Sequence, residues 1–272
     1  MPISLKRRTL LVTTAGAAAS LGASLAARHA MAAVPTLRLG IMSGPEEEIA
    51  ETARGIAATM GLTVKLVTFE DYTLPNEALA SGDIDANAFQ HKPFLDAQIQ
   101  ARGYKIVPLG LTYTQPMGFY SAKLRSVDAI PDGARVAVQN DPSNQGRALN
   151  LLASHGLIAL AADRGLLPSL ADVTGSPRHL RLIELDAAQL PRALDDVAMA
   201  SINTNYAVSA GLDPNASLIR EPLAGNPYAN LIAVRTGDAG RPGMQTLLAA
   251  YQAPQMAAYL RSHFQGSILP AF

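Results

Sequence analysis

The chain has no cysteine and no tryptophan, and only 16% of its 272 residues are charged. Without Cys there is no disulfide framework, no thiolate nucleophile and no Cys-based metal site. There is also no thiol to carry a bacterial lipid anchor. Charge of one sign is not in excess, with 22 Lys and Arg against 22 Asp and Glu. No basic stripe stands out, which excludes nucleic acid and anionic membrane as expected partners. After the first three dozen residues no apolar run is long enough to cross a bilayer. What is present is ordinary globular material, 49% hydrophobic. That suffices for one large domain or two smaller ones with real cores.

The N-terminus reads differently. SLKRRTLLV (4–12) is followed by an Ala-rich apolar run ending ARHAMAAVP. A basic start, an apolar middle and Ala30-Met31-Ala32 as an A-x-A site make residues 1–32 a signal peptide, cut before Ala33. Ser4, Arg7-Arg8 and Leu10-Leu11 resemble a twin-arginine export signal, the alternative being a general secretory signal that carries two arginines. Removing Lys6, Arg7, Arg8 and Arg28, and no acids, leaves 18 basic residues against 22 acidic. The expected product is an exported, cleaved, unlipidated periplasmic protein.

The rest alternates strands and helices. LRLGIM (37–42) and TVKLVTF (63–69) read as strands. Between them SGPEEEIAETARGIAATMG reads as a helix, with Ser43 as cap, Pro45 in the first turn, Glu46 completing a capping box and Gly61 ending it. LPNEALASG (74–82) is a short helix, DIDANAF (83–89) a strand, PFLDAQIQARG (93–103) a helix and KIVPLGLTY (105–113) a strand. The pattern then restarts: RSVDAIPDG is a helix-and-turn segment and ARVAVQN (134–140) a strand. DPSNQGRALNLLASHG is a helix capped by Asp141, and LRLIELD, AMASIN and NLIAVR (230–235) are strands around further helices. This alternation predicts an α/β fold with largely parallel sheets. Two successive units with a late return predict two lobes: 33–116 with 236–272, and 117–235. Crossing strands near 114–121 and 228–235 would join them around a ligand cleft.

Ligands in such sheets sit beyond the carboxyl ends of strands. Tyr72 follows one strand; Phe89, His91 and Phe94 follow the next. As a cluster they read as an aromatic wall with a polar contact; individually each could be core. Lys92 is read as pointing to solvent. Asn144 and Arg147 share a helix face, and Leu151 continues that stripe inward. Arg147 suits a carboxylate held bidentate, or a salt bridge with one of the acids. The first helix is a poor anion site, because Glu46, Glu47 and Glu48 occupy its start. Asn203 and Asn205, and Asn226, Tyr228 and Asn230, are further polar spots at strand ends. Asn205 could equally be a helix cap and Asn226-Pro227 a turn.

VTFEDYTLPNEALASGDIDANAFQHKPFLD, QNDPSNQGRALNLL, ELDAAQLPRALDDV, INTNYA and NPYANLI resemble the methionine-binding proteins of ABC uptake transporters, often known as D-methionine-binding lipoproteins. The resemblance runs over 37–235 and more weakly into the C-terminal helices. It implies a two-lobed periplasmic binding fold, type II-like, that closes on methionine without a covalent step or cofactor. It implies a monomer that delivers to an ABC transporter permease and, through it, the ATPase. Carried over by position, Tyr72, Phe89 and His91 form the aromatic and His wall, Arg147 with Asn144 takes the carboxylate, and Asn203 and Asn230 orient the amino acid. Three departures stand out: no lipobox cysteine, Phe94 where the family commonly has Tyr, and Ala198 and Ser201 where it tends to Asp and Val.

Other readings of the same chain are a different small amino acid or dipeptide as ligand, or a ligand-sensing role. An enzyme on this fold would want paired titratable groups in the cleft, and no G-x-S-x-G, Walker loop or H-E-x-x-H is present. Metal uptake has little support, since His29, His91, His155, His179 and His263 are scattered.

Overall fold

The computed structural model describes residues 35–223 and 225–272. The signal peptide, its cleavage site and the twin-arginine stretch lie outside the described residues.

The first half of the chain follows the predicted alternation. Strand β1 (Thr36–Met42) leads through α1 (Pro45–Thr59) to β2 (Thr63–Phe69), and α2 (Leu74–Ser81) leads to β3 (Ala86–His91). Helix α3 (Lys92–Arg102) and strands β4 (Ile106–Leu111) and β5 (Tyr113–Thr114) complete it. Strands β6 (Gly118–Tyr120) and β7 (Arg135–Gln139) and helix α4 (Pro142–Ser154) open the second half. The short strands β8 (Ala159–Leu160) and β9 (Val173–Gly175) pair with each other, and β10 (Arg181–Leu185) follows. Next come α5 (Leu190–Ala193), β11 (Met199–Ile202), α6 (Thr204–Ser209) and β12 (Ile219–Arg220). The chain ends with β13 (Asn230–Arg235), α7 (Met244–Tyr251), α8 (Pro254–His263) and β14 (Leu269–Pro270), which pairs with β5.

Among the described residues the strands form two five-stranded sheets, ordered β2-β1-β3-β13-β4 and β10-β7-β11-β6-β12. The expectation of largely parallel sheets holds for β1, β2 and β3 and for β7, β10 and β11. It does not hold for strands next to the crossings: β13 runs antiparallel to β3 and β4, and β6 antiparallel to β11 and β12. The reason is connectivity. A strand that enters a sheet from the other lobe arrives without a crossover helix, so it need not keep the βαβ direction. For the same reason β13, expected within the second lobe at 117–235, lies inside the first sheet, bonded on both sides. The chain passes between sheets at 115–117 and again at 221–229. These two segments bond to each other: Glu221 N donates to Met117 O (3.0 Å), and Met117 N to a Glu221 carboxylate oxygen (2.9 Å).

Two local readings need correction. DIDANAF was expected as the strand, but β3 begins at Ala86 and runs on to His91. Asp85 is instead held by Arg38 and Arg241, which fixes the chain before the strand starts. The Ser43–Glu46 capping box does not form. The cap is Gly44, at φ 85°, and Ser43 donates its hydroxyl to Glu70 (2.8 Å). A side chain on Gly44 would collide with Ser209 of α6. Glycine thus permits both the left-handed turn and the close approach of α1 to α6, and the first turn of α1 points Glu46 into the protein, 2% exposed.

Candidate functional site

The crowding of Asn, Gln, His and aromatics in DANAFQHKPFL has a structural explanation. Every residue of β3 is buried, so both faces of the strand must be satisfied. On one side Asn87 and Gln90 donate to Asn76 Oδ1 (2.9 and 2.7 Å), and Asn76 returns a bond to Gln90 (2.8 Å), a closed amide network under α2. On the other side Phe89 turns toward Tyr72 and Phe94, with ring centroids 5.8–5.9 Å apart. Tyr206 of α6 packs against Tyr72 from the second lobe, the rings tilted at 47° with centroids 5.0 Å apart. Lys92 lies at the surface and pairs with Asp96 (2.6 Å).

His91 ends β3 and caps α3. Its Nδ1 accepts the Phe94 N–H (3.2 Å), which assigns the proton to Nε2 and makes that nitrogen the donor toward Asn144 Oδ1 (3.4 Å). Burial, and then the nearby Arg147 charge, lower its pKa to about 3, so the ring is neutral. Across the cleft, Asp141 caps α4 through the Asn144 N–H (2.9 Å) and also holds the Asn144 side-chain amide. Asn144 Oδ1 accepts from Asn203 Nδ2 (2.9 Å), and Asn203 Oδ1 accepts from Gln139 (2.8 Å). Asn144 and Asn203 are therefore members of a fixed network. Asn230 donates to the Phe89 carbonyl (3.2 Å), tying β13 to β3.

Tyr72, Phe89, His91, Phe94, Asn144, Arg147, Asn203 and Asn230 all line one cavity between the two sheets, with about 350 Å³ of empty space when open solvent is included. Glu46, Gln90, Gln115, Thr204 and Asn205 complete its wall. Asn205 Oδ1 accepts the Tyr72 hydroxyl (2.7 Å), a bond from one lobe to the other. Asn226 and Tyr228 stand behind Arg147, outside this wall: Tyr228 lies under its guanidinium at 4.5 Å, and Asn226 donates to Glu221 (3.1 Å).

Arg147 has a partner within the fold, the second of the alternatives its sequence position allowed. Its Nε and Nη2 each donate to Glu221 at 2.6 Å, and Nη2 also donates to Gln115 O (2.8 Å). Both side chains of the pair are buried. The guanidinium thus grips both crossing segments, which leaves Nη1 without a hydrogen-bond partner among the described residues. Opposite, Glu46 Oε1 accepts from Gln115 Nε2 (2.8 Å), while Glu46 Oε2 and Gln115 Oε1 are buried without partners. Burial pushes the Glu46 carboxyl up to about 8, against the hydrogen bond from Gln115 and the nearby Met42 backbone, which does not reach Oε2 in hydrogen-bond geometry. Glu46 was assigned to a capping box by its spacing, and nothing in the sequence marked Gln115.

Among the described residues no three His, Asp or Glu gather to hold a metal, and no helix is long and apolar enough to cross a membrane. The chain is similar to the D-methionine-binding lipoprotein MetQ of Escherichia coli K12, 46% identical over 233 residues, 85% of this chain and 86% of the relative. A nutrient-binding protein from Burkholderia cenocepacia, solved bound to methionine, superposes with a TM-score of 0.84 at 46% identity. That match covers 87% of this chain and all of the other. The crystal structure of the methionine-binding protein MetQ gives 0.84 at 45% identity, over 87% of this chain and 98% of that one. The model of the NlpA lipoprotein family matches residues 37–272. By these matches, which span nearly all of the described chain, the protein belongs to the NlpA lipoprotein family.

Proposed function

We propose that the protein is a substrate-binding protein of an ABC importer whose ligand is methionine, bound by closure of the two lobes. The observation that carries this is the cavity itself. One wall is aromatic, formed by Tyr72, Phe89 and Phe94, and suits an unbranched thioether. The other end offers one guanidinium nitrogen, Nη1, with its two N–H groups, and a set of fixed asparagines, suited to the polar end of an amino acid. In this reading Arg147 Nη1 takes the carboxylate, His91 and Asn144 set the shape beside it, and Asn203 and Asn230 orient the ligand. The structures it matches include one solved with methionine bound. The cavity groups form binding networks and include no nucleophile paired with a base, which favours binding over catalysis.

The same reading extends to location and partners. Residues 1–32 act as an export signal removed before Ala33, and a chain without Cys is released into the periplasm without a lipid. It travels as a monomer to the transporter permease and its ATPase. A dipeptide is the second reading. It is favoured by a further cleft bordered by Arg147 and Tyr228 and lined by Asn150, Ser154 and Asn226.

The test is calorimetry on protein unfolded and refolded to strip ligand, against L- and D-methionine, methionine sulfoxide, methionyl dipeptides, leucine and histidine. Methionine is expected to bind more tightly than leucine or histidine. Binding of a dipeptide in its place would transfer the assignment to the second reading, and indifference to every thioether would overturn both.

A further inference from the structure

The cavity contains two acceptors that the fold leaves empty. Glu46 Oε2 and Gln115 Oε1 are buried with no hydrogen-bond partner among the described residues. Their side chains are 2% and 7% exposed, and both line the cavity. They are also joined, since Gln115 Nε2 donates to Glu46 Oε1 at 2.8 Å. An orphaned buried acceptor destabilises a fold, more so when it carries charge. Two on bonded side chains that line one cavity describe a place for a donor that the described residues do not supply.

The missing group can be named from its chemistry. It must donate at least twice and accept nothing, and it gains most if it is cationic, because one of the two acceptors belongs to a carboxyl. A primary ammonium meets each condition, with three donors and no lone pair. The groups facing Glu46 from neighbouring elements do not compensate it. The phenols of Tyr72, Tyr113, Tyr206 and Tyr251 carry no positive charge, and a carboxylate at Glu46 opposes their own ionisation. Arg147 and His91 belong to the same wall, but the guanidinium is already neutralised by Glu221 and the imidazole is uncharged. Gln115 relates the two ends of the site: its side chain bonds Glu46, and its carbonyl accepts from Arg147 Nη2 (2.8 Å).

We propose that Glu46, with Gln115, is a ligand-binding residue that receives the ligand's α-ammonium group, and that it restricts the site to ligands with a free cationic amine. The proposal rests on the amino-acid reading above and adds the residue that recognises the amine. Burial supports it from a second side. With its pKa near 8, the carboxyl of the closed, empty cavity is a neutral acid at pH 7. An ammonium on Oε2 returns it to the carboxylate. Closure on a ligand lacking the amine leaves the acceptors empty, whereas closure on an amino acid fills both.

The experiment compares L-methionine with 4-(methylthio)butanoic acid, which keeps the thioether and carboxylate and lacks only the amine. Calorimetry is run on the full protein and on Glu46→Gln. The wild type is expected to prefer methionine by about 100-fold or more, the scale of leaving a buried charged partner unpaired. In Glu46→Gln methionine should weaken by about 10- to 100-fold while the amine-free acid holds, so that the preference collapses. Retention of the wild-type preference, or equal weakening of both ligands, overturns the role of Glu46. Should Glu46→Gln fail to fold, N-acetyl-L-methionine decides the matter on the wild type: binding as tight as methionine refutes the ammonium site. A wild type that binds methionine without preferring it over the amine-free acid defeats this proposal alone. A wild type that binds neither defeats the methionine reading.

Discussion

Replacing Arg147 with Ala tests two roles of one side chain, the ion pair in the fold and the proposed contact with the ligand. The guanidinium is buried beside Glu221, with two contacts of 2.6 Å, and it also holds the Gln115 carbonyl on the outgoing crossing. Its removal leaves the Glu221 carboxylate buried with the Met117 N–H (2.9 Å) and the Asn226 amide (3.1 Å) as donors. Breaking a buried pair from one side costs about 3–5 kcal/mol, and those two remaining bonds place this case near the lower end. For a domain of this size about 3 kcal/mol lowers Tm by about 6–12 °C. Methionine affinity should fall in the same variant, since Nη1 is lost as well. The two effects separate in the double variant Arg147→Ala with Glu221→Gln, where the amide no longer requires a counter-charge. That protein should regain much of the lost Tm, read by calorimetric melting without ligand, and still bind methionine poorly. A single variant melting within about 2 °C of wild type would show that the ion pair does not stabilise the hinge. Recovery of affinity in the double variant would show that Arg147 has no part in binding.

Two further outcomes follow from the walls of the cavity. His91 has a folded pKa near 3, below the ordinary 6.5, so between these values the unfolded chain binds a proton that the folded protein does not. Stability present above pH 6.5 is therefore lost as pH falls, by about 2 kcal/mol between pH 6.5 and 4.5 from this group. His91→Asn, which keeps a capping acceptor, should flatten that part of the profile, and denaturant midpoints at the two pH values that differ as much as in wild type would refute it. Tyr72→Phe removes the hydroxyl that bonds Asn205 across the cleft. One such bond contributes about 1 kcal/mol, so methionine should bind about fivefold more weakly by calorimetry, and unchanged affinity would show that this bond is not a clasp.

Where the sequence was informative, the signals were short in range. Asp141 caps α4 three residues from its acceptor, and the 3.6-residue period turns Asn144, Arg147 and Leu151 to the same buried side. The aromatic and His cluster was visible because β3 runs directly into α3, with His91 serving both as strand end and as cap. The two-sheet architecture was visible in the restart of the strand–helix alternation. The assignment of β13 was not, because a strand returning from the other lobe has the same composition whichever sheet it joins. Its register against β3 and β4 is a long-range fact.

What local reading left unsettled or misplaced at the site shares that cause. A Ser-x-x-Glu spacing ahead of a helix is a sound local signal for a capping box, and here it competes with Gln115, 69 residues away. Arg147 on an inward face suggests a free clamp for a ligand carboxylate, yet its charge is met by Glu221, 74 residues away. Gln115 and Glu221 lie on the two segments that cross between lobes, so the connectivity that hid them from local reading also explains what they do. Glu46 belongs to the first lobe and Arg147 to the second, and each is fastened to a crossing segment. A ligand with a cation and an anion a few bonds apart can satisfy Glu46 Oε2 and Arg147 Nη1 only when the crossings hold the lobes closed. In the proposed binding mode charge recognition and closure are one event, and a ligand missing either charge is expected to lose affinity through both.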